Sequence, residues 1–193
     1  MSLFDVLFFY FKGGRCLIMR SKNYENQIFT EKVEVLEGTS TFENCIFEKG
    51  VYIKGDNKRY FLVGEVVRAV FNSCAFHSKG DDPCVALWTR AQGEFVGCKM
   101  SSEDFVPVRI DTGAHGVFRD CSIDYPAKRC GVAIMIESSG DFENCCFYDF
   151  GEGPAKIEPV YYDGHDKEKT RFLNCTFATI NKECIKPTKK NQQ

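Results

Sequence analysis

The sequence predicts an all-β fold, a right-handed parallel β-helix of about six coils behind a short N-terminal apolar cap. Three observations predict it. Six segments share the pattern Phe-x-x-Cys-x-apolar, starting at Phe42, Phe71, Phe95, Phe118, Phe142 and Phe172. Successive starts differ by 29, 24, 23, 24 and 30 residues, too short for a pair of helices and suited to one turn of a solenoid. A second strand recurs ahead of the Phe: Val85 and Leu87 align with Val108 and Ile110, then with Val132 and Ile134. All are i, i+2 pairs, so each puts one face of a strand toward a common core.

The elements follow in chain order. Leu3 to Phe11 is apolar except for Asp5. It is far shorter than the ~20 residues a membrane span needs, and it lacks the basic start and small-residue cleavage site of a signal peptide. Phe4, Leu7, Phe8 and Phe11 fall at helical spacing, which predicts an amphipathic cap over one end of the domain, with a short edge strand as the alternative. Residues 1–31 read as cap and lead-in, 32–185 as the β-helix and 186–193 as a polar tail. Within each coil, alternation points Cys45, Phe47 and their counterparts inward. It points Ile46, Ala75, Lys99, Ser122, Cys146 and Thr176 outward. Phe42 and Cys45 are three apart, so a corner must separate them if both are buried. Gly93, Gly116 and Gly140 stand two residues before the Phe, where a tight corner asks for a permissive backbone. The same count from Phe71 places Phe61 and Val63 in the column of Val85 and Leu87. Both solenoid ends expose unpaired strand edges unless capped, and the Cys184-Ile185 region is a second candidate cap.

At 193 residues the chain fits one domain with a sizeable core. A net charge of −2 with scattered Lys and Arg leaves no basic track for a phosphate backbone, which argues against nucleic acid. Eleven cysteines are an odd number with no C-x-x-C pair, so the thiols read as reduced packing groups and not as disulfides or zinc ligands. No metal and no cofactor is expected, and cytoplasmic residence agrees with thiols kept reduced.

The repeats resemble the pectin-lyase-like superfamily of parallel β-helices, in which G-x-F-x-N-C-x-F coils are common. The resemblance spans roughly 33 to 177. It implies a right-handed coil, which parallel crossovers also favour. It implies no single activity, because that fold carries lyases, hydrolases, esterases and non-catalytic modules. Gly80-Asp81-Asp82-Pro83-Cys84-Val85-Ala86 is similar to the G-D-D-C-x-A segment of polygalacturonases, with a proline inserted. Paired carboxylates there act as acid and base. Arg59 to Gly64 is similar to the V-D-F-I-F-G segment of pectin methylesterases, but Tyr60 stands where that family has its nucleophilic Asp.

Register also proposes a site. The outward positions of the second strand stack Ala86, Arg109 and Ala133 in one column, and Trp88, Asp111 and Met135 in the next. Small neighbours of Arg109 leave a trough around its guanidinium. An aromatic face, a fork of donors and a carboxylate suit a sugar or another polar partner. The ligand-binding residues expected are therefore Trp88, Arg109, Asp111 and Met135, with Asp81, Asp82, Arg109 and Asp111 the weak catalytic candidates. The leading function is a non-catalytic binding or scaffolding module with carbohydrate or a protein as partner. A polysaccharide lyase or glycoside hydrolase is the alternative, and homo-oligomers through the solenoid ends are a third reading.

Overall fold

The computed structural model describes residues 7–11, 14–19, 22–55, 66–126, 129–149, 159–163 and 169–179. Among them there is no α-helix, and so no helix long and apolar enough to cross a membrane. The chain winds through three sheets in rotation. The first holds Gly14–Met19, Lys32–Val35, Val51–Lys54, Val85–Trp88, Val108–Asp111, Val132–Ile134 and Val160–Tyr162. The second holds Asn23–Glu25, Thr39–Glu43, Arg68–Asn72, Gln92–Val96, His115–Arg119, Ser139–Glu143 and Arg171–Leu173. The third holds Ile28–Phe29, Ile46–Phe47, Ala75–Ser78, Lys99–Ser102, Ser122–Tyr125, Cys146–Asp149 and Thr176–Thr179. These strands pair in parallel with their counterparts one coil away, so the molecule is a parallel β-helix.

Three inward columns hold the coils in register. Phe42, Phe71, Phe95, Phe118, Phe142 and Phe172 stack face to face, with neighbouring centroids 4.7 to 4.9 Å apart. That is the spacing of hydrogen-bonded strands, so ring stacking and the backbone ladder ask for the same repeat. A second column carries Phe29, Phe47 and Phe76, then Met100, Ile123, Phe147 and Phe177. Between the two runs the thiol column. The corner expected between Phe42 and Cys45 is a single left-handed residue, Asn44 at φ 51°, matched by Ser73, Gly97, Asp120, Asn144 and Asn174. Asn, Asp and Gly are the residues that accept that conformation most readily. Each thiol after this corner also donates to a carbonyl of the preceding coil, as from Cys74 to Phe42 O at 3.5 Å and from Cys98 to Phe71 O at 3.3 Å. Cysteine here fills space and serves a buried acceptor together.

Several expectations need correction. Leu7–Phe11 is a β-strand, antiparallel to Gly14–Met19, and not an amphipathic helix. An aromatic run meets helical spacing and strand propensity equally, and pairing with the edge of the first sheet decides between them. Among the described residues seven coils are seen, because Tyr24 stacks on Phe42 at 4.9 Å and Phe29 on Phe47 at 4.9 Å in a first coil without the Phe-Cys signature. Phe61 and Val63 lie outside the described residues, as does the whole Arg59–Gly64 stretch. Their expected column is filled by Val51 and Ile53, which pair with Val85 and Leu87. The extra residues of that coil fall between its first and second strands, so a backward count from Phe71 stops short of Val51 and Ile53. Finally, Gly93, Gly116 and Gly140 sit inside strands and not at corners. A Cβ on Gly93 would stand 2.7 Å from both Leu87 Cδ2 and Phe95 Cε2, so glycine there makes room for the ring beside it.

Candidate functional site

The outward side of the first sheet is built by the alternation that buries Val85, Leu87, Val108, Ile110, Val132 and Ile134. Glu34, Tyr52, Ala86, Arg109, Ala133 and Tyr161 form one outward column. Lys54, Trp88 and Asp111 form the next. Met135 follows the strand end and donates its N–H to Ile110 O at 2.8 Å. The structure thus brings the four expected ligand-binding residues to one face.

The N-terminal half of this face is closed by its own charges. Tyr52 donates its hydroxyl to Asp82 Oδ1 at 2.6 Å, and Lys32 pairs with Asp82 Oδ2 at 2.9 Å. Lys54 pairs with Glu34 at 2.6 Å. Lys32 lies 4.3 Å from the centre of the Tyr52 ring, and Lys54 and Arg109 lie 5.7 and 5.8 Å from the centre of Trp88. Cation and ring alternate along the sheet, each within the range of a cation–π contact. Burial alone would raise the Asp82 carboxyl, but the Tyr52 hydroxyl and Lys32 outweigh it and hold it below the usual carboxylate range. A group held ionised in this way is a poor general acid. Asp111 Oδ2 accepts from Arg109 Nε at 3.2 Å and Nη2 at 2.7 Å. Asp81 is exposed in the turn beside Asp82. Of the four weak catalytic candidates, Arg109 and Asp111 neutralise each other, Asp82 is neutralised by Lys32, and Asp81 is a solvated carboxylate. Trp88 Nε1 is buried with no hydrogen-bond partner among the described residues.

The C-terminal half of the face is open. Beside Arg109 lies a groove of about 290 Å³, lined by Phe105, Val106, Arg129, Cys130, Ala133, Met135 and Tyr161. Its floor is a small apolar cluster outside the solenoid core, with Val106, Cys130 and Ala133 buried and Phe105 and Met135 packed against them. The small Ala133 next to Arg109 creates the hollow, as the register predicts. Arg129 reaches over Phe105 at 5.5 Å and has no carboxylate partner among the described residues. The walls escape sequence reasoning, because Phe105, Val106, Arg129 and Cys130 belong to connections between coils, where no column repeats. Tyr52 was hidden by the misplaced coil around Phe61.

A second constellation lies on the second sheet. His115 Nδ1 is 2.8 Å from Ser139 Oγ, and His115 Nε2 is 3.8 Å from Asp141 Oδ2. The types are those of a hydrolytic triad, but Asp141 is already clamped by Arg171 through bonds of 2.8 and 2.7 Å. The Ser139 N–H is spent on Ala114 O at 3.1 Å, so it cannot serve a developing oxyanion. The array is a polar ladder across three coils.

No family model matches the chain, and no curated protein matches it. Among solved structures it is similar to two trypsin-treated variants of QnrB1, a plasmid-mediated fluoroquinolone resistance protein. Each is 12% identical over 82% of this chain and 90% of that chain, with TM-scores of 0.17 and 0.18. An overlap that slight says nothing of what this chain binds.

Proposed function

We propose that the chain is a non-catalytic binding module that seats its ligand in the groove beside Arg109. The observation that carries this reading is an apolar trough with two guanidinium groups on its rim, Arg109 paired with Asp111 and Arg129 without a carboxylate partner among the described residues. Carbohydrate is the ligand class we favour, and an acidic sugar in particular. The C–H face of a sugar ring suits Tyr161 and Met135, and a carboxylate suits the planar fork of Arg129 or Arg109. At about 290 Å³ the groove stands at the lower edge of the roughly 300–1,000 Å³ typical of small-molecule sites, so it holds a single unit while the rest of a chain lies along the open sheet. The pectin-lyase-like resemblance, with its right-handed coil, points the same way. The ten free thiols among the described residues suit a reducing compartment such as the cytoplasm.

A polysaccharide lyase or glycoside hydrolase has less support. Of its three candidate carboxylates, Asp82 is paired with Lys32, Asp111 is paired with Arg109, and Asp81 stands alone in solvent. A glycan array that includes uronate-containing oligosaccharides tests the proposal, followed by reducing-sugar and 235 nm absorbance assays on every hit. Binding to acidic glycans without product is the expected result. Turnover, or an array in which neutral glycans bind and acidic ones do not, would overturn it.

A further inference from the structure

The two ends of the solenoid are finished differently. At the N-terminal end Leu7–Phe11 closes the first sheet with an antiparallel strand, and the first rings of the two aromatic columns, Tyr24 and Phe29, are buried. At the C-terminal end the columns stop in the open. Phe172 stacks on Phe142 at 4.9 Å and Phe177 on Phe147 at 4.8 Å, each with a ring on one side only among the described residues. Phe177 is 49% exposed, although its counterparts Phe47, Phe76 and Phe147 are completely buried. Leu173 is 55% exposed in a mostly polar column that carries Glu43, Asn72, Val96, Arg119 and Glu143 in other coils. Arg171–Leu173 and Thr176–Thr179 are the last strands of their sheets, and no strand pairs with their outer edges among the described residues.

The chemistry of the last edge shows what it is suited to meet. Solenoid edges left in water are normally blunted by Lys, Pro, a bulge or an inward charge. Thr176-Phe177-Ala178-Thr179 has no charge and no proline, whereas the three strands stacked before it carry Lys99, Asp124 and Asp149, and the charge on the neighbouring edge strand, Arg171, is spent on Asp141. An uncharged edge is also what self-pairing demands, because identical charges brought opposite one another repel.

We propose that the C-terminal end is a self-association surface on which a second copy of this chain docks its own C-terminal end. The surface asks for ring columns and strand edges at the coil spacing, and the terminal coil of another copy presents them. The copy cannot offer its N-terminal end, where the matching rings are already covered. Association is therefore isologous, across a two-fold axis perpendicular to the solenoid, and closes at a dimer without growing into a filament. The two-fold reverses strand direction, so the uncharged edges meet antiparallel, and Phe177 and Leu173 of both copies are buried.

Sedimentation velocity on the full chain, in reductant across a concentration series, tests this. The expected species is a dimer of twice the chain mass, reduced to monomer by Phe177→Glu. Ala178→Lys, at an exposed position with no part in the core, gives the same loss even if Phe177→Glu fails to fold. A monomer at every concentration overturns the proposal, and so does a mass that keeps rising with concentration, which would mean end-to-end growth. A dimer that survives Ala178→Lys places the interface elsewhere. A full chain that is monomeric but dimerises once residues 180–193 are deleted would show that the chain's own last segment covers this face.

Discussion

Replacing Phe95 with Ala removes the central ring of the longest stack. Phe95 is completely buried, with Phe71 at 4.9 Å on one side and Phe118 at 4.7 Å on the other. Phe→Ala in a core costs about 3–5 kcal/mol, the spread reflecting how far the site can collapse. Collapse is restricted here, because the strands carrying the neighbouring rings are held apart by the hydrogen-bonded strand between them. The cost therefore falls in the upper part of that range. For a domain of this size, about 4–5 kcal/mol lowers the melting temperature by about 8–20 °C, at ~2–4 °C per kcal/mol. Ile136→Ala is the internal control, because its side chain is mostly exposed and lies away from the C-terminal end, so its loss should cost about 0.5 kcal/mol or less. Urea unfolding followed by far-UV circular dichroism at one fixed protein concentration measures both. Equal losses for Phe95→Ala and Ile136→Ala would refute the stacking account.

The remaining stability predictions concern thiols and glycines. Burial, above all other influences, pushes the Cys84 thiol up to about 11. The folded state then holds that proton more tightly than the unfolded chain. The stability this supplies is intact below the ordinary thiol value of about 8.5 and is lost as pH rises toward 11. Melting temperature should fall across that window, and Cys84→Ala should flatten the fall; an unchanged slope in the variant would assign the alkaline loss to other groups. Among glycines, Gly55→Ala should be the most damaging, because the new Cβ would meet the Thr89 carbonyl oxygen at 1.8 Å. Gly116→Ala meets only side chains, Phe118 Cε2 at 2.6 Å and Leu87 Cδ1 at 3.0 Å, and Ala69 already occupies that column one coil before Gly93. It should cost about 1–3 kcal/mol of overpacking and still fold. Thermal melts that reverse this order would contradict the packing described.

What the sequence makes legible is whatever repeats. Phe42 to Phe172 announce the ladder because each coil must supply a ring at one spacing, and the i, i+2 pairs from Val85 to Ile134 announce the first sheet. The same periodicity placed Trp88, Arg109, Asp111 and Met135 together. The first coil was hidden because Tyr24 and Gln27 replace the Phe and Cys of the signature while keeping their places. The hairpin strand Leu7–Phe11 was hidden because its spacing satisfies two periods, and only a neighbouring strand edge selects one. The groove walls were hidden for a third reason. Phe105, Val106, Arg129 and Cys130 are brought together by two connections whose lengths obey no column, so their meeting is a tertiary fact with no periodic trace.

The most direct measurement uses Trp88, the only tryptophan, as its own reporter. The guanidinium of Arg109 lies 5.8 Å from the centre of its ring, so a ligand that draws on Arg109 must change the indole's surroundings. Titration with a galacturonate oligosaccharide should produce a saturable change in Trp88 fluorescence. Arg109→Ala should weaken binding by at least ~1 kcal/mol, the scale for losing a hydrogen bond to a charged group, while leaving the fold intact. Affinity undiminished in both Arg109→Ala and Arg129→Ala, with binding lost instead on substitution of Lys99 and Ser122 on the third sheet, would contradict the account and move the site to another face.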